Sequence, residues 1–166
     1  MALAKTAVVA LGGNAISKEG EEDTIPKQFE NTNKSLTSIV ALIKEGYNLA
    51  ITHGNGPQVG NAFLRVELAR GKAPILPLYI CVADTEGGMG FMIEQSLKNR
   101  LKKEGLEREV VTVITQVVVD KKDPAIKYPS KFIGQFYSKE EVENFSKGRG
   151  WVIKKDSNRG YRRVVP

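Results

Sequence analysis

Twice in its first third the chain follows one plan. Residues 7–11, Ala-Val-Val-Ala-Leu, form an unbroken apolar run that stops at Gly12-Gly13-Asn14. Residues 47–52, Tyr-Asn-Leu-Ala-Ile-Thr, run through His53 into Gly54-Asn55-Gly56. Each cluster of glycines leads on to residues with helical periodicity. A short apolar run broken by glycine and followed by a helix is a βα unit, and two in succession point to an α/β fold with a parallel sheet. The unbroken apolar character of the first run suits a parallel strand covered on both faces.

The remaining pattern extends this plan. A helix is expected over 26–45, with Pro26 in its first turn, Thr24 or Asp23 at its cap and Gly46 as its stop. Phe29, Leu36, Ile39, Val40 and Ile43 fall on one face of it. A second helix is expected over 58–70, with Val59, Phe63, Val66 and Arg70 on one side and Gly71 closing it. Residues 75–83, Ile-Leu-Pro-Leu-Tyr-Ile-Cys-Val-Ala, read as extended. A third helix over 86–103 stacks Met89, Ile93, Leu97 and Leu101, with Lys102 and Lys103 in its last turn and Gly105 just beyond. Residues 109–120, EVVTVITQVVVD, carry the strongest strand signal in the chain. Strand, helix, strand, helix, helix, strand describes a doubly wound layer, in which ligands sit at the carboxyl ends of the strands. Both glycine clusters lie there.

The character changes after Asp120. KKDPAIKYPSKFIGQFYS is rich in Pro, Lys and aromatics and suggests an excursion, such as a hairpin. Ser138 followed three residues later by Glu141 is a capping box opening a short helix to about Lys147. Residues 151–156 are a further strand candidate and 157–160 a turn.

Composition excludes several classes. Charged residues make up 27% and the net charge is +6, but lysines and arginines alternate with glutamates, which describes solvated helix faces. No nucleic-acid motif accompanies the charge, so it is read as favouring small anions such as phosphates. No apolar run reaches the ~18 residues of a membrane span. The first residues do not make a signal peptide, because their apolar stretch merges into the strand-and-glycine pattern. The single cysteine, Cys81, sits in an apolar setting and fits a reducing, cytoplasmic compartment.

The glycine clusters are the main chemical signal. Glycine lets backbone N–H groups converge and an oxyanion approach closely, and a helix start behind the loop adds favourable potential. Two such loops on adjacent strands could clamp a phosphoryl group, which is what phosphoryl transfer requires. The alternative is that these residues merely turn the chain. Neither loop is a Walker A or a GxGxxG sequence. His53, the only histidine, reads as structural, and no second histidine offers a metal site. Lys131 could act as a point charge on phosphate or be a solvated lysine. Arg159, Arg162 and Arg163 read as solvated. Residues 83–95, with three glycines at a helix start, suggest close packing, such as against a second subunit, or a substrate contact.

Taken together and in order, ALGGNAI, THGNGPQVGN, GGMGFMIEQSLKN, VVTVITQVVVDKKDPA, PSKFIGQFYS and DSNRGYRRVVP resemble the carbamate kinases of the amino acid kinase superfamily. The resemblance covers nearly the whole chain. It implies a three-layer αβα sandwich around a mainly parallel sheet, with a small protruding subdomain. It implies reversible transfer of the ATP γ-phosphoryl to carbamate with Mg2+, giving carbamoyl phosphate and ADP, often run toward ATP in arginine catabolism by a homodimer. By position, Gly12, Gly13, Asn14, Gly54, Asn55 and Gly56 would surround carbamoyl phosphate, and Lys131 matches a lysine on the subdomain that closes over the site. Phe132 and Gln135 stand where the family usually has proline. Family members are close to twice as long, and the half not matched carries the nucleotide site. The expected organisation is therefore a carbamoyl-phosphate-side domain over 1–120, a protruding subdomain over 121–157 and a return segment over 158–166. A second chain could complete it. The alternatives are another kinase with a carboxylate acceptor, and a non-catalytic phosphate-binding or dimerisation module.

Overall fold

The computed structural model describes residues 5–17, 24–146 and 150–166. The chain is α/β, as expected, and divides into two compact units that interleave in sequence. One comprises Met1–Asn55 and Ala83–Ile114, the other Gly56–Val82 and Thr115–Pro166.

The first unit is built on two parallel strands, β1 (Thr6–Leu11) and β2 (Asn48–His53). Their register runs from Thr6 opposite Asn48 to Leu11 opposite His53. Helix α1 (Ile25–Lys44) crosses between them. Ala7, Val9 and Leu11 of β1, with Leu49 and Ile51 of β2, turn inward, and the alternate residues turn out. Val8 is 72% exposed. Burial thus alternates along both strands, and the outward positions are small or polar apart from Val8.

Leu36, Ile39 and Val40 of α1 meet Met89, Met92, Ile93, Leu97 and Leu101 of helix α3 (Leu78–Lys103) in one core with Leu11 and Ile16. The four-residue stacking read in α3 is the face that is buried. Each large side chain buried this way contributes about 1.5–3 kcal/mol relative to exposure. The helices end where glycine allows the left-handed turn that releases the last carbonyls: Gly46 at φ +85° after α1 and Gly105 at φ +67° after α3. Tyr47 N–H then donates to Leu42 O, and Leu106 N–H to Leu101 O.

Two extended readings are overturned. Residues 78–83 open α3 instead, with the Ile80 and Cys81 amides donating to Pro77 O. Proline favours a helix start, and an apolar run alone does not separate a buried helical turn from a strand. Residues 109–120 form no strand; residues 106–120 belong to no helix or strand. A β-branched run fits a pleated surface but needs a ladder to become a strand, and none reaches it among the described residues. Val118 is 99% exposed. Within the first unit the segment is tethered to both sides of a cleft of ≈ 300 Å³. Arg108 Nη1 donates to Asn48 Oδ1 at 3.0 Å and Thr112 Oγ1 to Glu94 Oε2 at 2.8 Å.

The second unit holds helix α2 (Gly56–Leu68), a short turn of helix α4 (Pro124–Lys127), β3 (Lys131–Tyr137), α5 (Lys139–Ser146), β4 (Val152–Lys155) and β5 (Tyr161–Val165). The strands make an antiparallel sheet in the order β3-β5-β4. The expected excursion is thus a sheet closed by its last strand. The capping box forms as read: Ser138 N–H donates to Glu141 Oε2 at 2.7 Å, and Glu141 N–H to Ser138 Oγ at 3.1 Å. The cap expected at Asp23 and the helix end at Lys147 fall outside the described residues. No helix among them is long and apolar enough to cross a membrane.

Candidate functional site

The parallel register decides where the first two glycine loops stand. Because Leu11 lies opposite His53, Gly12-Gly13-Asn14 and Gly54-Asn55 leave adjacent strands abreast, at their carboxyl ends. Gly12 is extended (φ −65°, ψ 160°), and Gly13–Ala15 form one turn of 3-10 helix. Ala15 N–H returns to Gly12 O, and the amides of Ile16 and Ser17 return to Gly13 O. The first amides of a helical turn have no partner inside it, so those of Gly13 and Asn14 stand at the open end. Helix α1 holds this turn from behind. Asn31 Nδ2 donates to Ile16 O at 3.1 Å and Ser35 Oγ to Ala15 O at 3.1 Å. Asn31 is 2% exposed, a polar side chain buried to satisfy the carbonyl that the turn leaves inside.

The second loop is held by its one side chain. Asn55 Nδ2 donates to Thr85 Oγ1 of α3 at 3.0 Å. Gly56 is the first residue of α2, and Pro57 suits that first turn. His53 ends β2, its Nδ1 3.4 Å from Gly54 O, which agrees with a structural reading.

Most of the described glycines have a reason within the chain. Gly46, Gly71 and Gly105 adopt positive φ. Gly90 leaves room for Thr112, whose methyl would lie 2.2 Å from an added Cβ. Gly12, Gly13, Gly54 and Gly56 have neither reason, a property shared with Gly88 inside α3: none has positive φ, and a Cβ at any of them would meet nothing within 4 Å. A merely turning glycine would show the first, and a packing glycine the second.

Lys131, in the second unit, is the exposed first residue of β3, opposite Val165. The arginines near it are not simply solvated, which corrects the reading of Arg162 and Arg163. Arg162 Nε donates to Gly134 O at 3.1 Å and Nη1 to Asp156 Oδ2 at 3.2 Å, with the guanidinium 5.0 Å from the Phe136 ring centre. Arg163 lies 4.5 Å from the Phe63 ring centre and 5.1 Å from that of Trp151, and burial draws its pKa below the ordinary arginine value. Gly60 of α2 and Gly134 of β3 meet backbone to backbone. Among the described residues no group of three or more His, Cys, Asp or Glu side chains is placed to hold a metal ion. The Mg2+ implied by the resemblance would be held mainly through the phosphates of the nucleotide, and no step assigned to these residues passes through it.

Comparison with known proteins gives this geometry a context. No family model matches the chain. The carbamate kinase of Pyrococcus horikoshii is 45% identical over 161 residues, covering 96% of this chain and 51% of the relative. The chain is a homologue of the carbamate kinases. The carbamate kinase of Giardia lamblia, solved with citric acid, superposes with a TM-score of 0.88 at 36% identity, covering 100% of this chain and 54% of that one. The same enzyme solved with AMP-PNP gives a TM-score of 0.87 at 36% identity, with coverage of 100% and 53%. The chain spans about half the length of the curated carbamate kinases it matches. Sequence reasoning missed three supports: Asn31, Thr85 and the Gly60–Gly134 contact. Thr85 fell inside the marked stretch of residues 83–95, and Gly60 and Gly134 inside THGNGPQVGN and PSKFIGQFYS, whereas Asn31 fell in none of them.

Proposed function

We propose that the chain carries the carbamoyl-phosphate-side part of a carbamate kinase. The reaction is reversible transfer of a phosphoryl group between the β-phosphate oxygen of ADP and a carbamate oxygen. One observation carries this reading: four glycines at two adjacent strand ends that neither backbone conformation nor packing within the chain explains. Space kept clear beside backbone amides suits an oxyanion. The amides of the Gly12–Asn14 turn and of the Gly54–Gly56 loop donate to the phosphoryl oxygens, whose charge is spread over three equatorial positions during transfer. The resemblance gives Lys131, in the second unit, the role of a positive charge on the phosphoryl group. The nucleotide, which a relative holds as AMP-PNP, requires residues that this reading does not assign. The working form is a homodimer in the cytoplasm, a reducing compartment that suits a chain with a single cysteine.

The test is to mix the full chain with ADP, Mg2+ and carbamoyl phosphate and measure ATP, alongside calorimetric titration with carbamoyl phosphate alone. Gly13→Val is the diagnostic variant, because its side chain meets no protein atom near Cβ and intrudes only on the space reserved for the anion. Carbamoyl phosphate binding that Gly13→Val abolishes supports the clamp, and ATP formation supports the kinase. Binding without turnover identifies a phosphate-binding module. Binding unchanged by Gly13→Val refutes the clamp.

A further inference from the structure

We propose that Thr85 is the positioning residue of the second glycine loop, acting through Asn55. The inference rests on reading that loop as phosphate-binding. Between Gly54 and Gly56 the loop has one side chain to be held by, and Asn55 Nδ2 donates from it to Thr85 Oγ1 at 3.0 Å in a partly buried setting. The other end of that bond is rigid. Thr85 lies one turn before Met89 on α3 and two turns before Met92, and both methionines are buried in the core of the first unit. A glycine loop is conformationally permissive, and amides that bind an oxyanion act only when their direction is fixed beforehand. The α3 hydroxyl thus fixes the rotation of the Asn55 side chain and, through it, the peptide planes on either side. Gly90, further along α3, leaves room for Thr112; Thr85 is where that helix reaches the loop.

The test compares the full chain with Thr85→Val, Thr85→Ser, Asn55→Ala and the Asn55→Ala/Thr85→Val double variant. Carbamoyl phosphate is titrated calorimetrically, and backbone order parameters of Gly54 and Gly56 are measured by NMR without ligand. Valine keeps the shape and removes the acceptor; serine keeps the hydroxyl. Thr85→Val weakens binding roughly three- to tenfold, the range of one lost neutral hydrogen bond. Thr85→Ser stays within about twofold of the parent, and the double variant binds no more weakly than Asn55→Ala. The order parameters fall in Thr85→Val and recover in Thr85→Ser. Should Thr85→Val fail to fold by circular dichroism, Thr85→Ala is read in its place. Order parameters unchanged by loss of the hydroxyl, or additive losses in the double variant, overturn the proposal. If the parent chain binds no carbamoyl phosphate, the phosphate reading fails, and the order parameters alone still decide whether Thr85 holds the loop.

Discussion

Replacing Gly60 with alanine tests how closely α2 is set against the antiparallel sheet. A Cβ at this position would stand 3.0 Å from Gly134 Cα, 3.3 Å from its nitrogen and 3.7 Å from its carbonyl carbon. All three are main-chain atoms, so nothing can rotate aside, and helix and strand must part by a few tenths of an ångström. Overpacking of this kind costs about 1–3 kcal/mol. Alanine in place of glycine inside a helix returns about 1 kcal/mol. The net expectation is a loss of about 1 kcal/mol. Gly88 supplies the control: it lies within α3, is exposed, and would meet nothing within 4 Å. Gly88→Ala therefore gains about 1 kcal/mol without the penalty, and the two variants differ by about 2 kcal/mol with opposite sign. Urea unfolding is the assay. Trp151, the only tryptophan, has its ring 6.0 Å from Phe63 of α2 and 6.3 Å from Tyr137 of β3, so its fluorescence follows the unit that Gly60→Ala disturbs. Circular dichroism follows Gly88→Ala. If Gly60→Ala raised the midpoint as much as Gly88→Ala does, the argument from close approach would be refuted.

Two further predictions concern the first unit. Asn31→Ala leaves the Ile16 carbonyl without the amide that now meets it and costs about 1–3 kcal/mol; a urea midpoint within about 0.5 kcal/mol of the parent would show that Asn31 does not anchor the turn. The pH dependence is read at Glu104, which accepts hydrogen bonds from Lys44 and Arg100 and is held below its ordinary value of 4.5, first by Lys44 and then by Arg100. A carboxylate depressed in the folded state contributes stability above 4.5 that is lost as pH falls through the folded value. Lys44→Met should flatten the thermal stability profile below pH 4.5. The contribution of Glu30, held at about 2 by Lys34 and Lys27, stays in place, and an unaltered profile would count against the Glu104 assignment.

Much of the fold was legible because its signals are local. The faces of α1 and α3, the glycine stops at 46, 71 and 105 and the Ser138–Glu141 box each depend on residues within a turn or two. The failures share a physical cause. Whether 109–120 becomes a strand depends on a ladder partner distant in sequence, and its β-branched residues cannot report one. The helical start at Leu78 was hidden because an apolar run looks the same in either conformation. Of the candidate site, the two loops were legible as glycine after strand. Their supports were not, because Asn31 and Thr85 are ordinary polar helix residues until a loop carbonyl or amide is placed beside them. Arg162 and Arg163 were misread for the same reason: the rings that flank them come from elsewhere in the chain.

The position of β5 has a consequence for biosynthesis. It follows β3 and β4 in the chain yet is the middle strand of their sheet, and neither β3 nor β4 has another ladder partner among the described residues. Until residues 161–165 emerge, the two earlier strands present unpaired edges to whatever else is nearby. The antiparallel sheet therefore forms after translation of this segment rather than during it, and its formation waits on pairings between residues about 30 apart, such as Lys131 with Val165. Loop closure over that distance makes it slower than the helical turns around it. A nascent chain halted just before Tyr161 would have α2 and the capped α5 available to fold, but no sheet for Trp151 to rest on.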